Sequence, residues 1–395
     1  MKHPFDKEEL KLQYIDKYGE EPQHYFDCGG RFEILGNHTD HNHGLCIVGT
    51  CDLTIKAAVS KRDDDLVYIN SVGHFDIAID VKDLTLAKGE LGTSAGIAKG
   101  VIQYLRNAGY KYGGFTAYMT SDIGTGIGVS SSAAFELILG QIINVLFNDG
   151  KIDRLVLAKA GQYSENYFYN KKSGLLDQIG VAYGGVNLID FGNIDQPNVV
   201  KLDFPFKDIH FVLVNPGGSH SGLSADYSSI PDSMTNVAGH FGKKYLRDVG
   251  EKAFNDELLE EKEHGHSHFD DIDRHRAIHF FAENRRVIDA IKAMKENDEA
   301  GFLKAINDCQ HSCQNHLFNT QVEGKYAGSP QEAVDYANAI LTDGACKING
   351  GGFMGSIICF VKDKEVDSFI AKMKKRYGEE QVIELFLRND GPIEK

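Results

Sequence analysis

The sequence lacks a surplus of basic residues. Its 42 Lys and Arg stand against 57 Asp and Glu, which gives a formal net charge of −15. A chain this acidic is repelled by the phosphate backbone of nucleic acids and by anionic lipid surfaces. We therefore predict no nucleic-acid partner and no membrane partner. A small anionic substrate stays open, because a local basic pocket can form inside an acidic protein.

Two further features are missing, a long apolar run and a cysteine framework. No apolar run approaches the ~18 residues of a membrane span. The first twenty residues, MKHPFDKEELKLQYIDKYGE, are charged and indicate an amphipathic helix, not a signal peptide. The seven cysteines are odd in number and irregular in spacing, which predicts reduced thiols. These features predict a cytoplasmic protein, and we expect a monomer.

The chain also lacks repeats and low-complexity tracts, so its organisation has to be inferred from length and periodicity. At 395 residues it exceeds the ~250–300 residues that one core usually serves. Strand-like and helical segments are mixed, and the second half is the more helical. This predicts an α+β fold with two domains, residues 1–205 and 206–395.

A glycine-rich loop precedes a long apolar helix. Residues 124–134 read GTGIGVSSSAA, which is neither a Gly-Lys-Ser/Thr loop nor a dinucleotide fingerprint. Backbone N–H groups at such a helix N-terminus form an anion site, and the serine hydroxyls add donors or a metal ligand. An ordinary turn with a serine cap is the alternative. The predicted ATP-binding residues are Gly124, Gly126, Gly128, Ser130, Ser131 and Ser132.

Three motifs together resemble those of the GHMP small-molecule kinases, in particular the galactokinases. The loop is similar to Pro-x-Gly-x-Gly-Leu-Ser-Ser-Ser-Ala, with Gly124 for proline and Val129 for leucine. Residues 350–356 (GGGFMGS) resemble the C-terminal glycine motif of the family, apart from Met354 and Ser356. Residues 28–44 (CGGRFEILGNHTDHNHG) resemble the signature Gly-Arg-Val-Asn-Leu-Ile-Gly-Glu-His-Thr-Asp-Tyr-Asn. The resemblance implies a two-domain GHMP kinase fold with the active site in the cleft between the lobes.

The resemblance also implies roles for acidic residues. From local sequence alone, Asp177 in GLLDQ is a turn aspartate, but the matching aspartate in galactokinases is the catalytic carboxylate. Glu165 matches the glutamate that holds Mg²⁺ with a loop serine, here Ser131 or Ser132. Arg31 is expected to keep Asp177 ionised and to neutralise the transferred phosphoryl group. A surface salt bridge is the alternative for Arg31.

Substrate recognition is predicted at a second set of residues, and there the sequence departs from the family. Asp40 should bind sugar hydroxyls with support from His38, and the resemblance adds Asn37, Ser173, Gly174 and Tyr227. Galactokinases carry Glu at the position of Asn37, where it reads the 6-hydroxyl, and Tyr at the position of His41. The Asn37 amide can accept a hydrogen bond from the 6-hydroxyl of galactose. The absence of the glutamate charge also makes room for a substrate with a carboxylate at C6. We therefore predict galactose first and galacturonate second.

The sequence thus predicts an ATP-dependent and Mg²⁺-dependent sugar kinase that produces a sugar 1-phosphate. A non-catalytic sugar and ATP sensor of the same fold is the alternative of a different class. The complete Ser-Ser-Ser-Ala-Ala run, with Arg31, Glu165 and Asp177, favours the enzyme. The histidines in HNH (41–43) and HGHSH (264–268) lack HExxH spacing, so we predict no transition-metal site there.

Overall fold

The computed structural model describes residues 5–124, 126–171, 173–218, 223–265 and 267–395. Within them, the α-helices are α1 Lys7–Tyr18, α2 Ser94–Asn107, α3 Ser131–Asn148, α4 Arg154–Tyr167, α5 Leu176–Tyr183, α6 Ser224–His240, α7 Leu246–Val249, α8 Glu251–His264, α9 Asp271–Glu296, α10 Glu299–Ser312, α11 Pro330–Ile340 and α12 Val366–Tyr377. The strands are β1 His24–Leu35, β2 Leu45–Lys61, β3 Leu66–Ser71, β4 Ile77–Asp80, β5 Phe115–Ser121, β6 Val186–Asp190, β7 Asn198–Leu202, β8 Ile209–Val214, β9 Gly344–Ile348, β10 Ile357–Lys362, β11 Val382–Leu385 and β12 Ile393–Glu394.

The chain folds into two compact units whose segments alternate along the sequence. Unit 1 comprises Met1–Arg31, Gly49–Gly185 and Leu387–Lys395, and unit 2 comprises Phe32–Val48 and Val186–Phe386. Strands β1 and β2 therefore each contribute residues to both units. The domain boundary inferred from the sequence, between residues 205 and 206, falls inside unit 2. The division into two GHMP kinase domains at that boundary stays a prediction.

Unit 1 combines a mostly antiparallel sheet with helices. The strand order is β12-β1-β2-β5-β3-β4, and the β3–β5 pair is parallel. Side chains of α1 cover part of the sheet, where Leu10 and Tyr14 pack against Tyr25 and Ala58. Helices α2, α3, α4 and α5 pack on one another. This arrangement fixes the loop before α3 beside the start of α5.

Unit 2 contains a four-stranded antiparallel sheet in the order β11-β8-β10-β9. Helices α11 and α12 cover it, and side chains such as Val334 and Phe369 pack against Val212 and Cys359 of the sheet. Strand β6 pairs with β7 and also with β2. Helices α9 and α10 pack together, and α6 packs on α9.

The structure corrects three predictions of local structure. The composition of residues 67–81 predicts one strand, but they form two short strands, β3 and β4, separated by a turn. The dense charge of residues 257–273 predicts a solvated excursion, but α8 continues to His264 because its Glu and Lys residues favour helix. Asp177 lies in the first turn of α5, not in a turn between elements.

One helix has the length and composition of a membrane span. This is α3, Ser131–Asn148, and 56% of it is buried inside the protein. Side chains such as Leu137, Ile138 and Ile142 are fully buried. The burial is typical of a core helix.

Candidate active site

An arginine and an aspartate form a bidentate ion pair in unit 1. Arg31, in β1, donates from Nε to Asp177 Oδ1 (2.7 Å) and from Nη2 to Asp177 Oδ2 (2.9 Å). Its Nη1 donates to the carbonyl oxygen of Gly128 (2.8 Å). The Arg31 side chain is only 7% exposed, so the alternative of a surface salt bridge does not apply. The planar guanidinium matches the carboxylate geometry and locks both side chains in orientation.

The charge of this arginine decides the protonation of Asp177. Burial alone favours the neutral acid, but the Arg31 charge and its hydrogen bonds outweigh burial and lower the pKa of Asp177 to about 2. Lys171 adds a further positive charge that acts in the same direction. Asp177 is therefore a carboxylate throughout the neutral range.

The glycine-rich loop contacts the same pair of residues. The Arg31 backbone N–H donates to the Val129 carbonyl (2.9 Å), and a Cβ on Gly30 would lie 2.5 Å from that oxygen. Only glycine at position 30 lets the strand approach the loop this closely. Gly126 and Gly128 have positive φ values, as the spacing of glycines predicts. Thr125 lies outside the described residues.

Ser130 does not cap the helix that it precedes. It has φ 56° and makes no side-chain capping bond to α3. Its hydroxyl donates instead to Asp177 Oδ2. The alternative of an ordinary serine cap is therefore wrong, and the first N–H groups of α3 are not satisfied by a capping side chain. Those N–H groups and the helix dipole favour an anion at this end.

A second serine of the loop meets the predicted metal ligand. Ser132 Oγ donates to Glu165 Oε1 (2.7 Å), and Lys171 Nζ lies 3.0 Å from the same oxygen. Glu165 is 1% exposed, whereas Ser131 at the start of α3 is exposed. A serine hydroxyl and a carboxylate are hard oxygen donors that suit Mg²⁺. The Lys171 side chain is half exposed (52%), so its ammonium can leave Glu165 when a cation binds.

Behind Glu165 lies a carboxyl group that sequence reasoning missed. Glu136 is fully buried on α3, and Gln178 Nε2 donates to Glu136 Oε2 (3.0 Å) and to Glu165 Oε2 (3.2 Å). Burial, and then the charge of Glu165, raises the pKa of Glu136 well above its usual value. The raised pKa favours the neutral acid, and Glu136 accepts from the Gln178 amide that also donates to Glu165. No local sequence signal marks Glu136, because Gln178 and Glu165 are distant along the chain.

Ser173 and Gly174, predicted to line the sugar site, precede α5 in the same unit. The Ser173 N–H donates to Asn166 Oδ1 (2.8 Å), and its carbonyl accepts from Gln162 Nε2 (3.2 Å). The Ser173 hydroxyl is buried and has no hydrogen-bond partner among the described residues. An unpaired buried hydroxyl is costly and is consistent with a polar ligand at this position.

In unit 2, three predicted sugar residues converge on the C-terminal glycine motif. The carbonyl oxygens of Gly350, Gly351 and Gly352 accept hydrogen bonds, each from a different predicted residue. The donors, in that order, are Asn37 Nδ2 (2.6 Å), His38 Nε2 (3.0 Å) and the Tyr227 hydroxyl (3.1 Å). The two motifs predicted from distant parts of the sequence therefore form one hydrogen-bonded cluster.

His38 is held as a neutral imidazole. Burial, and then the neighbouring His41 ring, lowers the pKa of His38 to about 4. Its Nε2–H donates to Gly351, so Nδ1 is left as the acceptor nitrogen. His38 has φ 56°, in the left-handed region, which turns the chain between β1 and the next residues. Asp40, 9% exposed, lies with Oδ1 3.6 Å from His41 Nε2.

The Asn37 amide is fully buried and its bonding capacity is filled inside unit 2. Besides Gly350, its Nδ2 donates to Glu33 Oε1 (2.9 Å) and Oε2 (3.2 Å). Its Oδ1 accepts from Asn319 Nδ2 (3.0 Å) and Cys313 Sγ (3.6 Å). A contact between this amide and a sugar hydroxyl would require these bonds to rearrange. The predicted substrate contact of Asn37 stays a prediction.

Glu33 forms a buried ion pair that sequence reasoning did not single out. Lys347 Nζ donates to Glu33 Oε1 (2.8 Å), and the two residues are 0% and 3% exposed. Burial opposes the charge on Lys347, but the Glu33 carboxylate outweighs it and raises the Lys347 pKa. The galactokinase signature has Asn at the position of Glu33 and Glu at that of Asn37. The carboxylate and the amide have therefore exchanged places.

Helix α9 fixes the backbone that follows β1. Glu283 Oε1 accepts from the N–H groups of Gly36 (2.7 Å) and Asn37 (3.3 Å), while Arg286 Nε donates to Glu283 Oε2 (2.7 Å). Burial opposes ionisation of Glu283, but Arg286 prevails and lowers the Glu283 pKa to about 2. His279 Nε2 bonds the Asn37 carbonyl (2.9 Å). Sequence reasoning did not single out these residues, because their partners at 36 and 37 are distant along the chain.

Two family models match two segments in the first half of the chain. The model described as the galactokinase galactose-binding signature matches residues 12–61, and the GHMP kinases N terminal domain model matches residues 96–185. A galactokinase of Lactobacillus helveticus is 30% identical over 381 residues, 94% of each chain. A galactokinase of Actinobacillus pleuropneumoniae is 30% identical over 86% of this chain and 85% of its own.

The chain belongs to the galactokinase family. Family membership makes it a phosphotransferase with an alcohol acceptor and implies the use of ATP.

The solved structures agree on the fold of this galactokinase-family chain. A Lactococcus lactis galactokinase complexed with galactose superposes with a TM-score of 0.82 at 22% identity and covers 98% of this chain and 99% of its own. A mevalonate kinase superposes with a TM-score of 0.64 at 14% identity over 93% of this chain and 99% of its own. The predicted α+β GHMP kinase fold is therefore confirmed.

Proposed function

We propose that this protein is an ATP-dependent sugar kinase that phosphorylates the anomeric hydroxyl of galactose. The product is galactose 1-phosphate, with release of ADP. The observation that carries the proposal is the arrangement of Arg31, Asp177 and Ser130 beside the open N-terminus of α3, in a member of the galactokinase family. That arrangement combines an anion site with a fixed carboxylate, which is what phosphoryl transfer to a hydroxyl requires.

The phosphate groups of ATP bind the loop at 124–132 in this proposal. Backbone N–H groups at the start of α3 donate to the phosphate oxygens, and Ser131 supplies a hydroxyl donor. Ser130 adds a second hydroxyl donor only when it releases Asp177. Ser132 and Glu165 hold Mg²⁺, and the ion neutralises charge on the phosphates when it is bound. Arg31, already beside the loop through Gly128, stabilises the charge on the transferred group.

Asp177 orients the acceptor hydroxyl and acts only weakly as a base in the resting enzyme. A carboxylate with a pKa of about 2 has little affinity for a proton. If Arg31 turns toward the phosphoryl group during transfer, the carboxylate loses its main stabilising charge and becomes more basic. The ion pair therefore couples phosphoryl binding to proton acceptance.

The sugar is recognised by Asp40, His38, Tyr227, Ser173 and Gly174 in this proposal. The unpaired Ser173 hydroxyl and the acceptor nitrogen of His38 supply polar contacts. Asp40 accepts from neighbouring hydroxyl groups, which distinguishes epimers because a wrong epimer leaves the carboxylate unpaired. Asn37 contributes by holding this cluster to the glycine motif.

A second candidate substrate is galacturonate. The observation that favours it is the exchange of carboxylate and amide between positions 33 and 37. The carboxylate is now at Glu33, where Lys347 neutralises it. In this proposal an acidic substrate approaches a neutral amide where the galactokinase signature has a negative charge, and the bonds of the buried Asn37 amide rearrange to contact it.

The deciding experiment is ADP production with ATP, Mg²⁺ and each of galactose, galacturonate, glucose and arabinose. We expect galactose-dependent turnover, which Asp177→Ala reduces by about 10²–10⁴-fold. Asp16→Ala, at an exposed position of α1, is the matched control and should retain full turnover. A higher kcat/KM for galacturonate would replace the first substrate by the second. Sugar binding without any ADP release would establish the sensor instead.

The proposed location is the cytoplasm. All seven cysteines are free and buried, which supports a reducing cytoplasm. A monomer is proposed together with this location, and its test is the mass of the protein in solution by light scattering.

A further inference from the structure

The structure brings together two histidines and a glutamate from separate parts of unit 2. His240 ends α6, Glu257 lies in α8, and His268 follows α8 in the loop before α9. Their ligand atoms all lie within 4.8 Å of one another. His266, between the last two, lies outside the described residues. The spacing within HGHSH alone predicts no transition-metal site, and the structure changes that interpretation by adding His240 and Glu257, which are distant from His268 along the chain.

The separations suit a first-row transition metal. His268 Nδ1 lies 2.5 Å and His240 Nε2 lies 3.2 Å from the same oxygen, Glu257 Oε1. Tetrahedral zinc with bonds of about 2.0–2.1 Å places its ligand atoms about 3.3–3.5 Å apart. The His240–Glu257 separation is close to that spacing, whereas the His268–Glu257 separation is shorter and has to lengthen when an ion binds.

Neighbouring groups hold these side chains in place. The backbone N–H of His268 donates to Glu261 Oε1 (2.5 Å), and Arg274 Nε lies 3.4 Å from Glu261 Oε2. The His240 ring stacks on the His268 ring at 5.2 Å and packs edge-on against Phe269 at 5.0 Å. The loop and both imidazoles are therefore positioned before any ligand binds, which lowers the entropy cost of binding.

We propose that His240, Glu257 and His268 form a binding site for a divalent transition metal, with Zn²⁺ as the best-matched ion. Two imidazoles and one carboxylate are a common zinc ligand set, and water fills the fourth position. The His268 side chain is 49% exposed, so that position opens to solvent. Mg²⁺ is disfavoured, since it prefers oxygen ligands in an octahedron.

A bound ion would join the end of α6 to α8 and to the loop after it. Helix α6 carries Tyr227 in its first turn, and Arg276 of α9 bonds α6 through the Ser229 carbonyl and the Ser233 hydroxyl (both 2.8 Å). The metal therefore stabilises the part of unit 2 that supports Tyr227. The proposal does not depend on the kinase activity.

The test is Zn²⁺ binding to the full chain, measured by competition with a zinc-binding chromophore in the presence of Mg²⁺. We expect one equivalent in the unaltered protein, at least about tenfold weaker binding in His240→Ala or His268→Ala, and no binding in the double variant. His74→Ala, at an exposed position between β3 and β4, is the control and should bind normally.

A further variant separates metal ligation from simple hydrogen bonding. Glu257→Gln can still bond both imidazoles but loses the charged ligand, so we expect unchanged stability without zinc and weaker zinc binding. With Co²⁺ as probe, the unaltered protein should show the visible absorption of a tetrahedral ion and the double variant should not. Absence of binding in the unaltered protein, or equal binding in the double variant, would overturn the proposal.

Discussion

At the scale of single residues, the ion pair between Arg31 and Asp177 determines how activity should depend on pH. The pKa of Asp177 is lowered to about 2, so the carboxylate is lost only as pH falls through that value. We therefore expect no acidic decline of kcat/KM from Asp177 between about pH 5 and 8. In Arg31→Gln, burial loses its main opposing charge while Lys171 and Ser130 stay in place, so the Asp177 pKa rises and residual activity should decline at a higher pH. Steady-state pH profiles of both proteins, with folding followed by circular dichroism, provide the test.

The exchange between positions 33 and 37 makes a second prediction about single residues. Glu33→Asn leaves Lys347 buried without its carboxylate and should cost about 3–5 kcal/mol of stability. Asn37→Glu places a second carboxylate beside Glu33 and should also destabilise. The double variant restores one carboxylate and one amide, so we expect it to be more stable than Glu33→Asn alone.

The same variants test the choice of sugar. The double variant carries the arrangement of the galactokinase signature, so its ratio of kcat/KM for galactose over galacturonate should rise. Kinetics with both sugars and denaturant unfolding give the two readouts. If the destabilising effects simply add, or if the ratio does not change, positions 33 and 37 do not act as a pair.

At the scale of elements, the glycine motif at 350–356 depends on the close approach of Tyr227. A Cβ on Gly351 would lie 2.4 Å from Tyr227 Cε1, so Gly351→Ala displaces the ring or the motif. Overpacking costs about 1–3 kcal/mol, and we expect the KM for sugar to rise about tenfold while the KM for ATP changes little. Gly239→Ala in α6 is the control, because a Cβ there meets nothing within 4 Å. An equal rise of the KM values for sugar and for ATP would show that Tyr227 has no specific role in sugar binding.

Periodicity predicted many elements, and tertiary contacts explain the ones that it missed. The apolar run after the glycine-rich loop predicts a helix over roughly 131–148, and FTAYMTS predicts a strand over 115–121; α3 and β5 have these bounds. Helix α5 was missed because its start, LDQ, resembles a turn, and its position depends on the pairing of Asp177 with Arg31. Glu33, Glu136 and Glu283 were missed because buried carboxyl groups are recognisable only by partners distant in sequence. The motifs predicted the site residues, but not that Asn37 is buried.

At the scale of the whole molecule, the last residues of the chain return to unit 1. Strand β12 pairs antiparallel with β1, and the N–H of Lys395 donates to the Tyr25 carbonyl (2.9 Å). Arg388 Nη1 donates to Asp27 Oδ2 (2.7 Å), and both side chains are nearly buried. The fold of unit 1 therefore depends on residues from both ends of the chain, which explains why a single cut in the sequence does not reproduce the compact units.

The ion pair between Arg388 and Asp27 should contribute to the stability of the whole fold. Arg388→Ala removes the closer charge partner of the buried Asp27, whose Oδ2 keeps Lys395 Nζ at 3.7 Å, and should lower the free energy of unfolding by up to about 3 kcal/mol. Arg285→Ala removes an exposed pair with Glu251 and should cost less than about 1 kcal/mol. Denaturant unfolding of both variants measures the difference in the free energy of unfolding, and hydrogen exchange locates it.

We expect faster exchange in β1, which carries Asp27 and, further along the same strand, Arg31. The Arg388 variant should consequently lose turnover at elevated temperature before the Arg285 variant does. Equal stability of the two variants would show that the Arg388–Asp27 pair adds no more to the stability of the fold than an exposed ion pair does.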